Sequence, residues 1–309
     1  MKNKHMRSTL IVGRIFAWLA LSLIVSGCAT TGTLSEEEMA AAALLEAEQT
    51  MEAGDAAARR GDFEQALVLY LKAVSAEETS ERWFRIGAIC TRLDRTNRAI
   101  QSYLRAIELD PMHAGAREAV GLEYLDLEDE DAARTHLTAA LELEPDRWRA
   151  HNGLGVLADR RQDYAAAIEH YEAALATNAE SPMLLNNMGY SRYLAGDLDQ
   201  AARDFFRATE LNADYAPAWG NLGLIYARRA WYTDALSILI RVRDLPVAYN
   251  DVGSIALRNG DVVEAEQLLS EAVRLSPTYY EVAHRNLELA RARMGRQTGG
   301  TDPRISRVP

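Results

Sequence analysis

The chain has 309 residues, with 34 basic and 45 acidic side chains and a formal charge of −11. A surface of that sign repels phosphate backbones and anionic lipid headgroups. This argues against nucleic acid as a partner and against membrane attachment through a basic patch. The only cysteines are Cys28 and Cys90, so a packed core has to supply the stability that several disulfides would otherwise give.

Residues 1–27 have the pattern of a cleaved signal peptide. A basic opening with Lys2, Lys4 and Arg7 precedes an uncharged run over 15–25. Such a run reaches about 16 Å as a helix, roughly half of the hydrocarbon core of a bilayer, so we do not expect it to span a membrane. A basic segment, a short apolar segment and small residues are typical of secretory signals.

The signal ends in V-S-G-C over 25–28, which resembles the lipobox of bacterial lipoproteins. The resemblance implies a covalent lipid on Cys28, cleavage before it, and acylation of the new amino terminus with a fatty acid such as palmitate. Ala29 follows where an aspartate would favour the inner membrane, so we expect the outer membrane, on its periplasmic side. An ordinary secreted protein with a chance cysteine is the alternative.

Three columns of small residues recur with a period close to 34. The glycines are Gly54, Gly87, Gly121, Gly155, Gly189, Gly223 and Gly253. Twelve residues after each stands an alanine: Ala66, Ala99, Ala133, Ala167, Ala201, Ala235 and Ala265. Seven further on come Ala73, Ala106, Ala140, Ala174, Ala208, Val242 and Ala272. Columns in phase over seven units predict a repeated structural unit that stacks on its neighbours.

The columns resemble those of the tetratricopeptide repeat (TPR), a unit of two helices, A and B. The resemblance implies an all-α solenoid, a right-handed superhelix of about seven helix–turn–helix repeats. The predicted repeats lie near 47–80, 80–113, 114–147, 148–181, 182–215, 216–245 and 246–279. Small residues at the crossing allow the paired helices to approach closely.

The ends of the array are also predicted. Ser35 and Glu38 form a capping-box pattern, which starts a helix near Glu36 and places the array over 35–294 behind a lipidated tether over 28–34. A capping helix is predicted over 280–294. The segment 295–309 is predicted to be a flexible tail, because it contains Gly and Pro but little to bury.

The sixth repeat is irregular. Ala235 and Gly253 are 18 residues apart, where the two preceding repeats have 22, and the deficit is about one helical turn. Trp231 follows Ala230 where other repeats place a Gly-Asp turn. The turn has either drifted at the surface or become a contact site.

No pattern in the chain predicts catalysis or metal binding. The histidines lack metal-ligand spacing, and His136 and His170 share one column of helix B. Cys90 falls in an apolar column of helix A, which predicts a buried structural thiol. We therefore expect no enzyme, no catalytic residue, no metal, no cofactor beyond the lipid on Cys28, and no small-molecule substrate.

The remaining expectation is protein recognition. In TPR proteins the inner face of helix A lines a groove for peptides or partner helices, and the resemblance implies the same here. The candidate groove residues are Arg149, Asn152, Asn187, Tyr190, Tyr193, Asn221, Leu224 and Asn250. Asparagine offers a donor and an acceptor, so a row of them can pair with the main chain of an extended ligand. The asparagines can equally belong to the repeat consensus and bond their own backbone.

A lipid-anchored array of this size resembles two kinds of bacterial assembly lipoprotein: those of tight-adherence (Flp) pilus assembly and the type IV pilus pilotins. The segments LNNMGY and WGNLGLIYARRAWYTDALSILIRV carry the likeness to the first kind. The resemblance implies a scaffold at the outer membrane that helps a secretin subunit to assemble or localise. The alternative is a periplasmic adaptor that recruits cell-wall hydrolases or proteases to substrates.

Overall fold

The computed structural model describes residues 35–298, which form helices in antiparallel pairs and contain no strand. The helices are α1 (Glu36–Arg59), α2 (Phe63–Ala76), α3 (Ser80–Arg92), α4 (Thr96–Leu109), α5 (Ala114–Asp126), α6 (Glu130–Leu143), α7 (Trp148–Arg160), α8 (Tyr164–Thr177), α9 (Pro182–Ala195), α10 (Leu198–Leu211), α11 (Ala216–Arg228), α12 (Tyr232–Leu239), α13 (Leu245–Asn259), α14 (Val262–Leu275) and α15 (Glu281–Thr298). Odd-numbered helices up to α13 are the A helices of repeats one to seven, even-numbered ones are the B helices, and α15 covers the end. The all-α solenoid prediction is confirmed.

The array starts at the predicted capping box. The backbone N–H of Glu38 donates to Ser35 Oγ at 3.2 Å, and the Ser35 N–H donates to the Glu38 carboxylate at 2.9 Å. These bonds satisfy two of the amide groups that the first turn of a helix leaves unpaired.

The turn between the two helices of every repeat contains one residue with a positive φ angle. The seven residues are Gly61, Asp94, Glu128, Gln162, Gly196, Ala230 and Gly260. An aspartate usually follows and caps helix B, as Asp163 does by accepting from the Ala166 N–H at 3.2 Å. The turn before Trp231 therefore keeps the backbone geometry of its neighbours, and Ala230 is one of four residues other than glycine at this position.

The glycine column marks the crossing of helices A and B. A Cβ atom at Gly155 would lie 2.7 Å from Tyr171 Cε1, and one at Gly223 would lie 2.6 Å from Leu239 Cγ. The alanines of the second column are fully buried, with Ala167 and Ala201 both 0% exposed. The close approach that these columns predicted is present.

The A helices lie on the inner side of the array. From α3 onward each A helix contacts the next A helix, and α13 contacts α15. Among the described residues the B helices make no comparable contact with one another and pack instead on the following A helix. Neighbours that touch on one side only produce a curved stack with the A helices on its concave face.

The sixth repeat departs from the predicted columns. Helix α12 has 8 residues where α10 and α14 have 14, because the chain turns after Leu239. Val242 was predicted as a helix B column residue, but it lies in this turn, where its N–H donates to the Leu239 carbonyl at 3.0 Å. Leu239 is fully buried and supplies the last core contact of the helix. The missing residues are thus taken from the end of helix B.

Cys28, the signal peptide over 1–27, the tether over 28–34 and the segment 299–309 lie outside the described residues. Helix α15 continues to Thr298, four residues beyond the predicted end of the capping helix. A single helical glycine, Gly295, costs only about 1 kcal/mol and does not end the helix. None of the described helices is both long and apolar enough to cross a bilayer.

We predict that Gly155→Ala lowers the free energy of unfolding by about 1–3 kcal/mol, because the added methyl group overlaps the buried Tyr171 ring. Gly220→Ala is the matched control, since the nearest atom to its Cβ is Arg243 Nη2 at 3.7 Å. Urea unfolding of both variants checks the prediction. Equal losses in the two would show that the glycine column is not the constraint on the crossing.

Candidate partner-binding groove

One face of each A helix remains open on the concave side in repeats four to seven. We number the positions of each A helix so that the repeat glycine is position eight. At 100° per residue, positions two, nine and thirteen then lie within about 40° of one another around the helix axis. We call these positions of α7, α9, α11 and α13 the inner stripe. Its members are Arg149, Val156, Arg160, Met183, Tyr190, Leu194, Pro217, Leu224, Arg228, Val247, Ser254 and Arg258.

An aromatic patch lies at the centre of the inner stripe. The rings of Tyr190 and Tyr193 stack with their centroids 6.2 Å apart, and the guanidinium of Arg228 lies 5.2 Å from the Tyr193 centroid. Tyr190 is 45% exposed and Leu194 is 40% exposed. Two predicted groove residues, Tyr190 and Tyr193, are therefore brought together, and the structure adds Leu194 and Arg228 to them.

The predicted asparagines pair with other asparagines across neighbouring A helices. Asn187 Nδ2 donates to Asn152 Oδ1, and Asn221 Nδ2 donates to Asn186 Oδ1, both at 3.0 Å. Asn250 is buried and accepts from Asn286 of α15, also at 3.0 Å. Each pair uses one donor and one acceptor to join two repeats. Contact of these side chains with the main chain of a ligand stays a prediction.

The remaining predicted residues lie at the edges of the patch. Arg149 is exposed at the start of α7, with its guanidinium 4.9 Å from the Trp148 centroid. Leu224 is half-buried and packs against the core of repeats six and seven. They therefore flank the tyrosines on either side.

A half-buried carboxylate, that of Asp159, fixes the helices that present the patch. Asp159 of α7 accepts from Ser191 Oγ of α9 at 2.7 Å and from the Tyr171 hydroxyl of α8 at 2.9 Å. Burial raises the pKa of the Asp159 carboxyl, although both hydroxyls that donate to it act in the opposite direction. We call this group of Asp159, Tyr171 and Ser191 the Asp159 junction. Sequence reasoning missed it, because its only sequence signal is a polar residue at position twelve of one A helix and a serine at position ten of the next.

A histidine pair joins the two helices of repeat four. The Nδ1 atoms of His151 and His170 are 3.1 Å apart, and His151 Nε2 lies 3.0 Å from the Pro145 carbonyl oxygen. Because that carbonyl accepts, His151 Nε2 carries the proton, and His170 Nδ1 donates to His151 Nδ1. Burial, and then the neighbouring His151, lowers the pKa of His170. Within the described residues no group of three or more metal-binding side chains is found.

The shortened sixth repeat opens a cleft on the convex side. The cleft has a volume of about 520 Å³ and is lined by Leu236, Ile240, Leu245 and Tyr249 among others. Trp231 packs edge-on against Tyr226, with the centroids 5.3 Å apart, and remains 48% exposed. The rest of the cleft lining is largely polar, with Thr233, Ser237, Glu264, Gln267 and Glu271.

Known families match the chain through its repeats. Family models described as tetratricopeptide repeat match residues 80–113, 119–182 and 232–280. A curated relative, the TPR repeat-containing thioredoxin TTL4 of Arabidopsis thaliana, is 33% identical over 110 residues. That match spans 35% of this chain but only 16% of the relative.

Solved structures show the same fold. A tetratricopeptide repeat protein from Parabacteroides merdae ATCC 43184 is 18% identical, with a TM-score of 0.56 over 79% of this chain and 98% of that one. PilF of Pseudomonas aeruginosa is 16% identical, with a TM-score of 0.54 over 69% of this chain and 97% of that one. At these identities the likeness establishes the repeat fold and nothing finer.

The histidine pair predicts a loss of stability in mild acid. Since folding lowers the pKa of His170, the unfolded chain binds more protons than the folded chain below the unfolded histidine pKa of about 6.5. The stability contributed by neutral His170 is therefore complete above that pH and is lost as the pH falls towards the folded pKa. We expect the melting temperature to fall more between pH 7.5 and 5.5 in the wild type than in His170→Gln. An equal fall in both would contradict the assignment.

Proposed function

We propose that this tetratricopeptide-repeat protein is a non-enzymatic scaffold for protein–protein interaction, anchored to the outer membrane through a lipid on Cys28. Its inner stripe holds a segment of an envelope-assembly protein, and a secretin subunit of a pilus or secretion system is the partner that the sequence resemblance favours. The lipid is its only attached group. Neither nucleic acid nor a small-molecule substrate is part of its function.

The observation that carries the proposal is the open aromatic patch. Tyr190 and Leu194 are large apolar side chains on a concave face, and both are at least 40% exposed. The Asp159 carboxylate and the Ser191 hydroxyl, which fix the helices that carry these side chains, are already paired inside the array. The patch is therefore rigid before any ligand arrives. Rigid aromatic side chains give much contact area at small entropic cost and dominate many protein interfaces.

The anchor rests on the V-S-G-C pattern over 25–28. Residues 28–34 allow a tether of at most about 25 Å when fully extended, so the array would sit close to the bilayer. A groove held there raises the effective concentration of a partner that is itself at the membrane. This is the physical role of an anchored scaffold in the assembly of a membrane complex.

We expect the double substitution Tyr190→Ala and Tyr193→Ala to weaken partner binding by about tenfold or more, because two aromatic contacts in an interface centre are lost. Phe206→Ala is the matched control, since Phe206 is 52% exposed on α10, a B helix. Co-purification of secretin subunits and the amount of detergent-resistant secretin multimer in membranes are the readouts. Unchanged multimers in the double variant would contradict the role of the patch, and capture of cell-wall hydrolases instead would favour the adaptor function.

We expect Cys28→Ala to release the chain from the membrane fraction and to reduce secretin multimers, because the acylated thiol is lost. Subcellular fractionation with an antibody to the array measures this directly. The same substitution at Cys90, which is fully buried, serves as the thiol control. A Cys28→Ala protein that still fractionates with the outer membrane would refute lipid anchoring at this residue.

A further inference from the structure

In repeats four to seven, the layer of A helices is mainly basic and the layer of B helices is mainly acidic. The A helices of these repeats carry five basic side chains, Arg149, Arg160, Arg192, Arg228 and Arg258, and two acidic ones, Asp159 and Asp251. The B helices carry nine acidic side chains, Glu169, Glu172, Asp199, Asp204, Glu210, Asp234, Glu264, Glu266 and Glu271, and three basic ones, Arg203, Arg207 and Arg274. A chain with a net charge of −11 thus presents a positive concave layer in this half.

The two carboxylates of that concave layer are already satisfied. Asp159 accepts from Ser191 and Tyr171, and Asp251 pairs with Arg243 at 3.1 Å. Of the arginines, Arg192 is used inside the array, where its guanidinium contacts Asp204 at 2.6 Å and Glu172 at 2.9 Å. The acidic groups of the concave layer are therefore hydrogen-bonded or ion-paired within the array, but most of its basic groups are not paired with a carboxylate.

Four arginines remain, and all of them belong to the inner stripe: Arg149, Arg160, Arg228 and Arg258. All four are exposed, and none has a carboxylate within 4.0 Å or a side-chain hydrogen bond to any described residue. The guanidinium groups of Arg149 and Arg228 lie over the rings of Trp148 and Tyr193.

An arginine can also serve the array itself, as Arg293 of the capping helix α15 shows. Its Nη1 donates to the Leu257 carbonyl of α13 at 2.9 Å and so satisfies a carbonyl near the end of that helix. The four arginines of the inner stripe make no such bond. Arg160, Arg228 and Arg258 can still interact favourably with the dipole of their own helix, because each lies in its last turn. That interaction does not explain why the three arginines share one face or why tyrosines lie beside them.

We propose that the inner stripe of repeats four to seven binds an acidic segment of the partner protein that also carries aromatic or aliphatic side chains. Carboxylates of the segment pair with the four arginines, and its apolar side chains pack on Tyr190, Leu194 and Leu224. The proposal rests on the proposed function, since it names the chemistry of the segment that the scaffold holds. Guanidinium groups bind carboxylates in a bidentate manner, which fixes register as well as adding affinity.

Two other anionic partners fit the surface less well. A flat bilayer cannot reach the arginines on the concave face of a curved array. A long nucleic acid would extend past the groove onto the acidic B helices and meet the repulsion of a chain with a charge of −11. A single acidic segment is short enough to contact the positive layer alone.

The test measures binding of a fluorescein-labelled 16-residue peptide of glutamate and phenylalanine to the full chain, by fluorescence anisotropy. We expect Arg160→Gln with Arg228→Gln to weaken binding about tenfold, because two charge-assisted contacts are lost. Arg207→Gln with Arg274→Gln is the control of equal charge, since both residues are exposed on B helices in pairs with Glu210 and Glu271. Charge reversal, Arg160→Glu with Arg228→Glu, should transfer the preference to the corresponding lysine–phenylalanine peptide.

The competing outcomes are separable. Equal affinity of the wild type for the acidic and basic peptides, or equal losses in the inner and outer variants, would overturn the proposal. So would binding of polyadenylate or phosphatidylglycerol vesicles that competes fully with the acidic peptide. If Tyr190→Ala with Tyr193→Ala releases the native partner but Arg160→Gln with Arg228→Gln does not, the proposed function stands and the acidic segment is wrong. If neither variant releases the partner, the proposed function fails with it.

Discussion

The crossing of helices A and B over a glycine is the constraint on which the rest of the structure depends. At Gly155 and Gly223 a single added methyl group would overlap a buried Tyr171 or Leu239 side chain. This close contact sets the distance between the two layers in every repeat, and therefore the angle at which the next repeat stacks. The curvature that leaves one face of each A helix open follows from it.

The open face is built differently from the rest of the A-helix surface. The other polar groups of α7 and α9 are paired within the array, as the Asn152–Asn187 bond and the Asp159 junction show. What stays exposed is a row of arginine, tyrosine and leucine side chains whose arginines have no carboxylate partner among the described residues. A surface that satisfies its internal polar groups and exposes rigid aromatic ones is suited to protein recognition.

The sequence alone predicted the features that recur. Three columns in phase identified the fold and the helix crossing, and a further apolar column of helix A predicted the burial of Cys90, because each depends on residue size at a fixed period. It did not predict that α12 ends at Leu239, since one missing turn can be taken from either helix or from the loop between them. Nor did it predict that Asn221 pairs with Asn186, because pairing between repeats depends on side-chain direction and not on spacing.

Apart from Arg149, which was a predicted groove residue, the arginine row was also missed, although every member stands in the sequence. Its signal is the contrast between paired and unpaired charges, which only the three-dimensional structure reveals.

The most direct measurement of the central claim is photo-crosslinking in cells, with a photoreactive phenylalanine analogue placed at Tyr190 on the inner stripe or at Phe206 on the convex face. We expect an adduct to one acidic segment of a partner from Tyr190 and none from Phe206. Adducts from Phe206 alone would place recognition on the convex face and contradict it.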